Sequence, residues 1–205
     1  MFNLQGNNQT LLKLIGVANY MGKSLSGLKT VYSVVIALSV TETIKSIFDI
    51  EVYKNTYGIN LELLPTFIIF IITLIPFYQG ANKYLSEILK DKNHKASFER
   101  IIDFVFFFSE SLFFYWIALL INEKILFFQI MIILLILDVL WLFTVLCFNK
   151  DLFNKIKWWC ILNLILVFLL LSLFCMNYYN IFVLLLIFII RTSCDYFCTW
   201  KFYWD

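Results

Sequence analysis

ILFFQIMIILLILDVLWLFTVLCF, residues 125–148, holds one charged side chain, Asp138, in an otherwise apolar run. As an α-helix this stretch rises about 36 Å at ~1.5 Å per residue, against a hydrocarbon core of roughly 30 Å. It reads as a transmembrane helix. A carboxyl near the middle of such a helix has to be paired, face a cavity or do work.

Five more apolar stretches lie around it, at about 29–49, 63–78 and 101–121 on one side and 158–176 and 181–200 on the other. In the last, the unbroken apolar part IFVLLLIFII covers only 181–190, too short to cross, so the helix must continue through Arg191 to about Trp200. Pro65 falls in the first turn of the second helix, where a missing N–H is harmless. Pro76 lies deeper and is expected to kink or end that helix before PFYQGAN, residues 76–82. Asn122–Lys124 and Asn177–Asn180 read as tight turns between helices.

Composition agrees. Of 205 residues, 62% are apolar and 15% charged, where a soluble domain is nearer half apolar and about a quarter charged. Six spans of roughly 20 residues each occupy more than half of the chain, which leaves no room for a soluble catalytic domain.

The 16 Lys and Arg residues set the orientation. Thirteen fall in the N-terminal segment, the second loop, the fourth loop and the tail, while Lys54 and Lys124 are the only ones in the first, third and fifth loops. Cytoplasmic loops collect Lys and Arg, so both termini are expected in the cytoplasm. Ahead of the first span, residues 9–23 (QTLLKLIGVANYMGK) place Leu11, Leu14, Ile15, Ala18 and Met21 on one helical face. That pattern fits an amphipathic helix lying on the inner leaflet within an interfacial segment 1–28, with breaks at Gly22 and Gly27. The start MFNLQGNNQT lacks a basic n-region followed by an apolar core, so the first span is expected to serve as the insertion signal. Fourteen of the basic residues are Lys, and Ile, Phe, Asn and Tyr abound, a mix expected of an AT-rich bacterial genome.

The expected fold is therefore all-α: one polytopic membrane domain, 1–205, with six transmembrane helices and an N-terminal interfacial helix, in the cytoplasmic membrane of a bacterium.

Counting inward from the helix ends puts Glu110, Asp138 and Arg191 at a similar depth near the midplane. Arg191 is the expected partner of Glu110 or Asp138, because a guanidinium stays charged when desolvated and can bridge two carboxylates. Glu42 and Lys45, three apart in the first span, can pair locally. Asp103 precedes Glu110 by seven residues and Asp195 follows Arg191 by four, so the five groups trace a polar path from midplane to cytoplasm. Two readings stand side by side: a structural triad locking helices three, four and six, and a hydrated route for ions or protons. The acids Glu42, Asp103, Glu110, Asp138 and Asp195 outnumber Lys45 and Arg191, which tips the balance toward conduction. The aromatic run Phe104–Trp116 around Glu110 reads as packing and lipid-facing surface, with a dewetting constriction as the sharper alternative.

No G-x-x-x-x-G-K-[ST], H-E-x-x-H or G-x-S-x-G motif occurs, and His94 is the sole histidine. Cys194 and Cys198 share a helix face with Asp195, but no histidine is close and no C-x-x-C occurs, so free thiols are expected and no metal, cofactor or enzymatic activity. The functional expectation is a homo-oligomeric, cation-leaning ion channel or membrane-permeabilising effector controlled from the cytoplasm. The alternatives are a membrane anchor or sensor and a proton-coupled transporter. The anchor would recruit a cytosolic protein through the second loop, with Lys90, Lys92, His94, Lys95 and Arg100 as its surface. Positive charge in that loop is explained by topology, and nucleic acid is not an expected partner.

Overall fold

The computed structural model describes every residue except 1–3, 49, 52–55, 59, 91–96, 149, 179 and 205, and leaves aside the side chains of 4–25, 50–51, 56–57, 88–90, 97–100 and 152. The elements are α1 (Leu4–Ile47), a minimal hairpin of β1 (Ile50–Glu51) and β2 (Thr56–Tyr57), a 3-10 turn (Leu61–Leu63), α2 (Leu64–Lys90), α3 (Ser97–Leu119), α4 (Lys124–Phe148), α5 (Lys150–Cys175), α6 (Ile181–Cys198) and α7 (Trp200–Trp204). Six helices are long and apolar enough to cross a membrane: segments Ser26–Ile47, Leu61–Glu87, Ile101–Leu119, Lys124–Phe148, Phe153–Cys175 and Ile181–Cys198. This is the make-up of a multi-pass membrane protein.

The turns follow from their residues. α5 ends with Asn177 at φ 53°, the left-handed conformation asparagine tolerates. There the Tyr178 N–H bonds the Leu173 carbonyl at 2.9 Å and the Asn177 N–H the Phe174 carbonyl at 3.0 Å, a Schellman closure. Asn180 then opens α6, its side-chain oxygen accepting from the N–H groups of Phe182 (3.0 Å) and Val183 (3.3 Å).

α2 does not end at Pro76 but runs through it to Lys90. Proline at 76 removes the N–H that would bond the Ile72 carbonyl. Thr192 on α6 fills the gap, its hydroxyl donating to the Ile72 carbonyl at 3.1 Å. A neighbouring helix thus satisfies the backbone group that proline freed. Nor do Gly22 and Gly27 break the chain, since α1 is continuous from Leu4 to Ile47. The proposed apolar face of 9–23 lies outside the described side chains. α5 begins at Lys150, a full two turns before the expected start.

The principal packing partners form a closed ring: α1 on α3, α3 on α4, α4 on α5, α5 on α6, α6 on α2 and α2 on α1. Its centre is filled by aromatic side chains. Phe107 meets Tyr32, Tyr84 and Trp141, Trp141 meets Trp159, and Phe77 meets both Trp159 and Phe114. Tyr32, Phe77, Phe107, Phe114, Trp141 and Trp159 are all fully buried. The Trp159 ring packs against α2 where Gly80 leaves room; a Cβ at 80 would sit 2.1 Å from two atoms of its ring. The outward faces carry Leu38, Ile133, Leu140, Ile165, Phe168, Leu186 and Ile190, all exposed. An apolar belt of that extent belongs against lipid. The Phe104–Trp116 run divides between the two roles, with Phe107 and Phe114 inside and Phe104, Phe108 and Trp116 on the belt.

Candidate functional site: carboxyl groups inside the bundle

Four carboxyl side chains are buried among the described residues: Asp103, Glu110, Asp138 and Asp195, each 5% exposed or less. One buried guanidinium, Arg191, accompanies them. All five were legible as charges within apolar runs. The helix order decides how they pair, and it does so differently from the sequence expectation.

Arg191 bonds neither Glu110 nor Asp138 directly. α5 stands between α4 and α6 in the ring, and Asn163 of α5 makes the connection. Its side-chain oxygen accepts from Arg191 Nε at 3.1 Å and also from Nη2, while its Nδ2 donates to Asp138 Oδ2 at 2.5 Å. The amide orientation is dictated by chemistry, since guanidinium offers only donors and so must face the amide oxygen. Arg191 forms its ion pair with Asp195, one turn along the same helix, at 3.6 Å. Its Cζ also lies 5.8 Å from the centre of the Phe77 ring, a cation–π contact. Asp195 in turn accepts from the Thr199 hydroxyl at 3.0 Å and from Tyr203 of α7 at 3.0 Å. Burial first, then the Asp195 carboxylate, pushes the Tyr203 hydroxyl well above the ordinary tyrosine value, which keeps it a donor. The result is one polar chain, Asp138–Asn163–Arg191–Asp195–Tyr203, from within α4 to the C-terminal helix, hydrogen-bonded at every link except the Arg191–Asp195 ion pair.

Glu110 and Asp103 have separate surroundings. Tyr32 of α1 donates to Glu110 Oε1 at 2.5 Å. Asp103 accepts from Tyr84 of α2 at 3.1 and 3.2 Å and from the Trp141 indole N–H at 3.0 Å. Tyr32 of α1, Tyr84 of α2 and Trp141 of α4 supply these donors from three helices that pack on α3. Glu42 and Lys45 pair at 2.7 Å as expected, on an exposed face at the end of the first span. Two buried atoms of the central chain, Asp138 Oδ1 and Arg191 Nη1, make no hydrogen bond.

Sequence reasoning missed Asn163, Tyr32, Tyr84, Trp141, Thr199 and Tyr203. Asn163 alone carried a visible signal, as an amide inside the apolar run of α5. Of the proposed partner surface, Lys92, His94 and Lys95 lie outside the described residues. Lys90 ends α2 and Arg100 lies in the first turn of α3, with side chains outside the description. All five cysteines are free.

No family model matches the chain, and no curated protein or solved structure is significantly similar to it.

Proposed function

We propose that this chain conducts small cations, protons foremost, across a bacterial cytoplasmic membrane as a homo-oligomer. The observation that carries the reading is that two buried carboxyl groups, Glu110 and Asp138, are met by the neutral donors Tyr32 and Asn163 and by no cation within ion-pair distance among the described residues. A bare carboxylate in hydrocarbon costs several kcal/mol, so these two groups have to be protonated or do work. Aromatic rings fill the bundle's centre, which favours protons over larger ions: a proton can pass between hydrogen-bonded groups without an open bore. The chain ending at Asp195 and Tyr203 leads toward the lysine-rich end, taken as the cytoplasmic face from which conduction is controlled.

The test is a pH-sensitive dye inside proteoliposomes under an imposed proton gradient. Wild-type protein is expected to dissipate the gradient faster than empty vesicles, and Asp138→Asn or Glu110→Gln to abolish the difference. Glu42→Gln, on the exposed pair, should leave it intact. No dissipation, or dissipation untouched by either buried substitution, refutes the proposal. Potassium flux of the same size as proton flux points instead to a permeabilising effector.

One observation favours a second reading, a membrane anchor for a cytosolic partner. α1 runs unbroken for 44 residues, Leu4–Ile47, which at ~1.5 Å per residue is roughly twice the thickness of a hydrocarbon core, so part of it extends beyond the bilayer. A partner retained by the full chain and lost on deletion of 4–25, with no proton flux in either protein, favours this reading.

A further inference from the structure

A cleft of about 530 Å³ opens at the lysine-rich end, where α2, α5 and the α6–α7 junction meet. The cleft wall includes Glu87 in the last turn of α2, Asn154, Lys155, Lys157 and Trp158 in the opening turns of α5, and Lys201 of α7 just beyond the end of α6. Polar ends of apolar helices meet here, as is usual at the level of lipid headgroups. Trp158, exposed on the wall, has the residue type that anchors helices at that depth.

The charge is one-sided. Lys155 is paired with Glu87 at 3.4 Å. Lys157 and Lys201 have no carboxylate partner among the described residues, so the cleft carries two uncompensated ammonium groups. Asn154 adds an amide donor. A volume of this size suits a small polar ligand, and basic pockets between helices at the cytoplasmic surface suit phosphate-bearing headgroups.

We infer that this cleft binds the phosphate of an anionic phospholipid headgroup, with Lys157 and Lys201 as its principal contacts. The acyl chains would lie along the exposed apolar faces of α5 and α6, which carry Ile161, Ile165 and Ile190. The inference does not depend on conduction and survives its failure.

Native mass spectrometry of the purified full chain in detergent tests it, with phosphatidylglycerol, phosphatidylcholine and inorganic phosphate as separate probes. Phosphatidylglycerol is expected to be retained in preference to phosphatidylcholine, and millimolar inorganic phosphate not to displace it. Each lysine near an anionic phosphate contributes a factor of roughly five, so Lys157→Gln with Lys201→Gln should weaken retention roughly 25-fold. A charge-matched control, Lys124→Gln with Lys150→Gln, removes exposed lysines away from the cleft wall and should leave retention unchanged. Equal retention of the two lipids overturns the inference, as does an equal loss in both double variants. Displacement by inorganic phosphate shows a site for a soluble phosphate compound and overturns the lipid assignment. Unchanged thermal unfolding of the double variants guards against a folding artefact.

Discussion

Replacing Asn163 with leucine is the sharpest perturbation of the buried chain. The two side chains share one branched heavy-atom skeleton, so the change opens no cavity, and although leucine is the bulkier its main effect is on polar contacts. Three hydrogen bonds disappear: two from Arg191 to the amide oxygen and one from the amide nitrogen to Asp138. Hydrogen bonds between membrane helices average about 0.6 kcal/mol and reach about 1.7, so their loss alone accounts for roughly 2 kcal/mol. The larger effect is on the groups left behind. Arg191 keeps only Asp195 at 3.6 Å and the Phe77 ring, and Asp138 Oδ1 already lacks a partner. Breaking a buried charged arrangement by removing one member costs about 3–5 kcal/mol. That range already includes the lost hydrogen bonds, so about 4 kcal/mol in all is expected. The assay is reversible unfolding in bicelles, followed by helix content. The triple variant Asn163→Leu, Asp138→Leu, Arg191→Met should recover much of the loss, because an apolar replacement of a whole buried charged set is often neutral or stabilising. Asp195 then retains Thr199 and Tyr203 as donors. A loss below about 1 kcal/mol in the single variant, or a triple variant less stable than the single, refutes the reasoning.

Other expectations follow from particular contacts. Gly80→Ala should destabilise the bundle by about 1–3 kcal/mol, because its Cβ collides with the buried Trp159 ring; thermal unfolding measures this, and Trp159→Leu in the same chain should relieve part of it. Thr192→Val should cost about 1 kcal/mol by unsatisfying the Ile72 carbonyl, and less in a Pro76→Ala background that restores the backbone N–H. Equal costs in both backgrounds would show that Thr192 does not act through that carbonyl. Tyr32→Phe should loosen α1 from α3 by about 0.6–1.7 kcal/mol, read as faster hydrogen exchange along the α1 span.

Much of this arrangement is written openly in the chain. Asp138 and Arg191 stand out because a charge in an apolar run has few explanations, and Asn177 and Asn180 mark their turn because asparagine tolerates left-handed backbone and caps helices. The pairing is less open. Glu110, Asp138 and Arg191 looked like one triad because helical counting gives depth but not neighbours. The ring order puts α5 between α4 and α6 and leaves α3 beside α1, so the triad separates into an Asn163-bridged chain and a Tyr32–Glu110 pair. Asn163 escaped notice because one neutral amide barely alters the hydropathy of α5. Pro76 was expected to kink or end its helix, and that the helix does not end there could not be read locally, because the substitute donor, Thr192, lies 120 residues away.

Asp138, Asn163 and Arg191 meet at one level inside the bundle. Solid-state NMR of the protein in lipid bilayers can observe this directly, through correlations of the Asn163 side-chain nitrogen with the Asp138 carboxyl carbon and of the Asn163 amide carbon with the Arg191 guanidinium. Both correlations are expected, and both should be lost in Asn163→Leu. If Arg191 instead correlates with Asp138 or Glu110 and the Asn163 amide with neither neighbour, the bridge does not exist and the claim is contradicted.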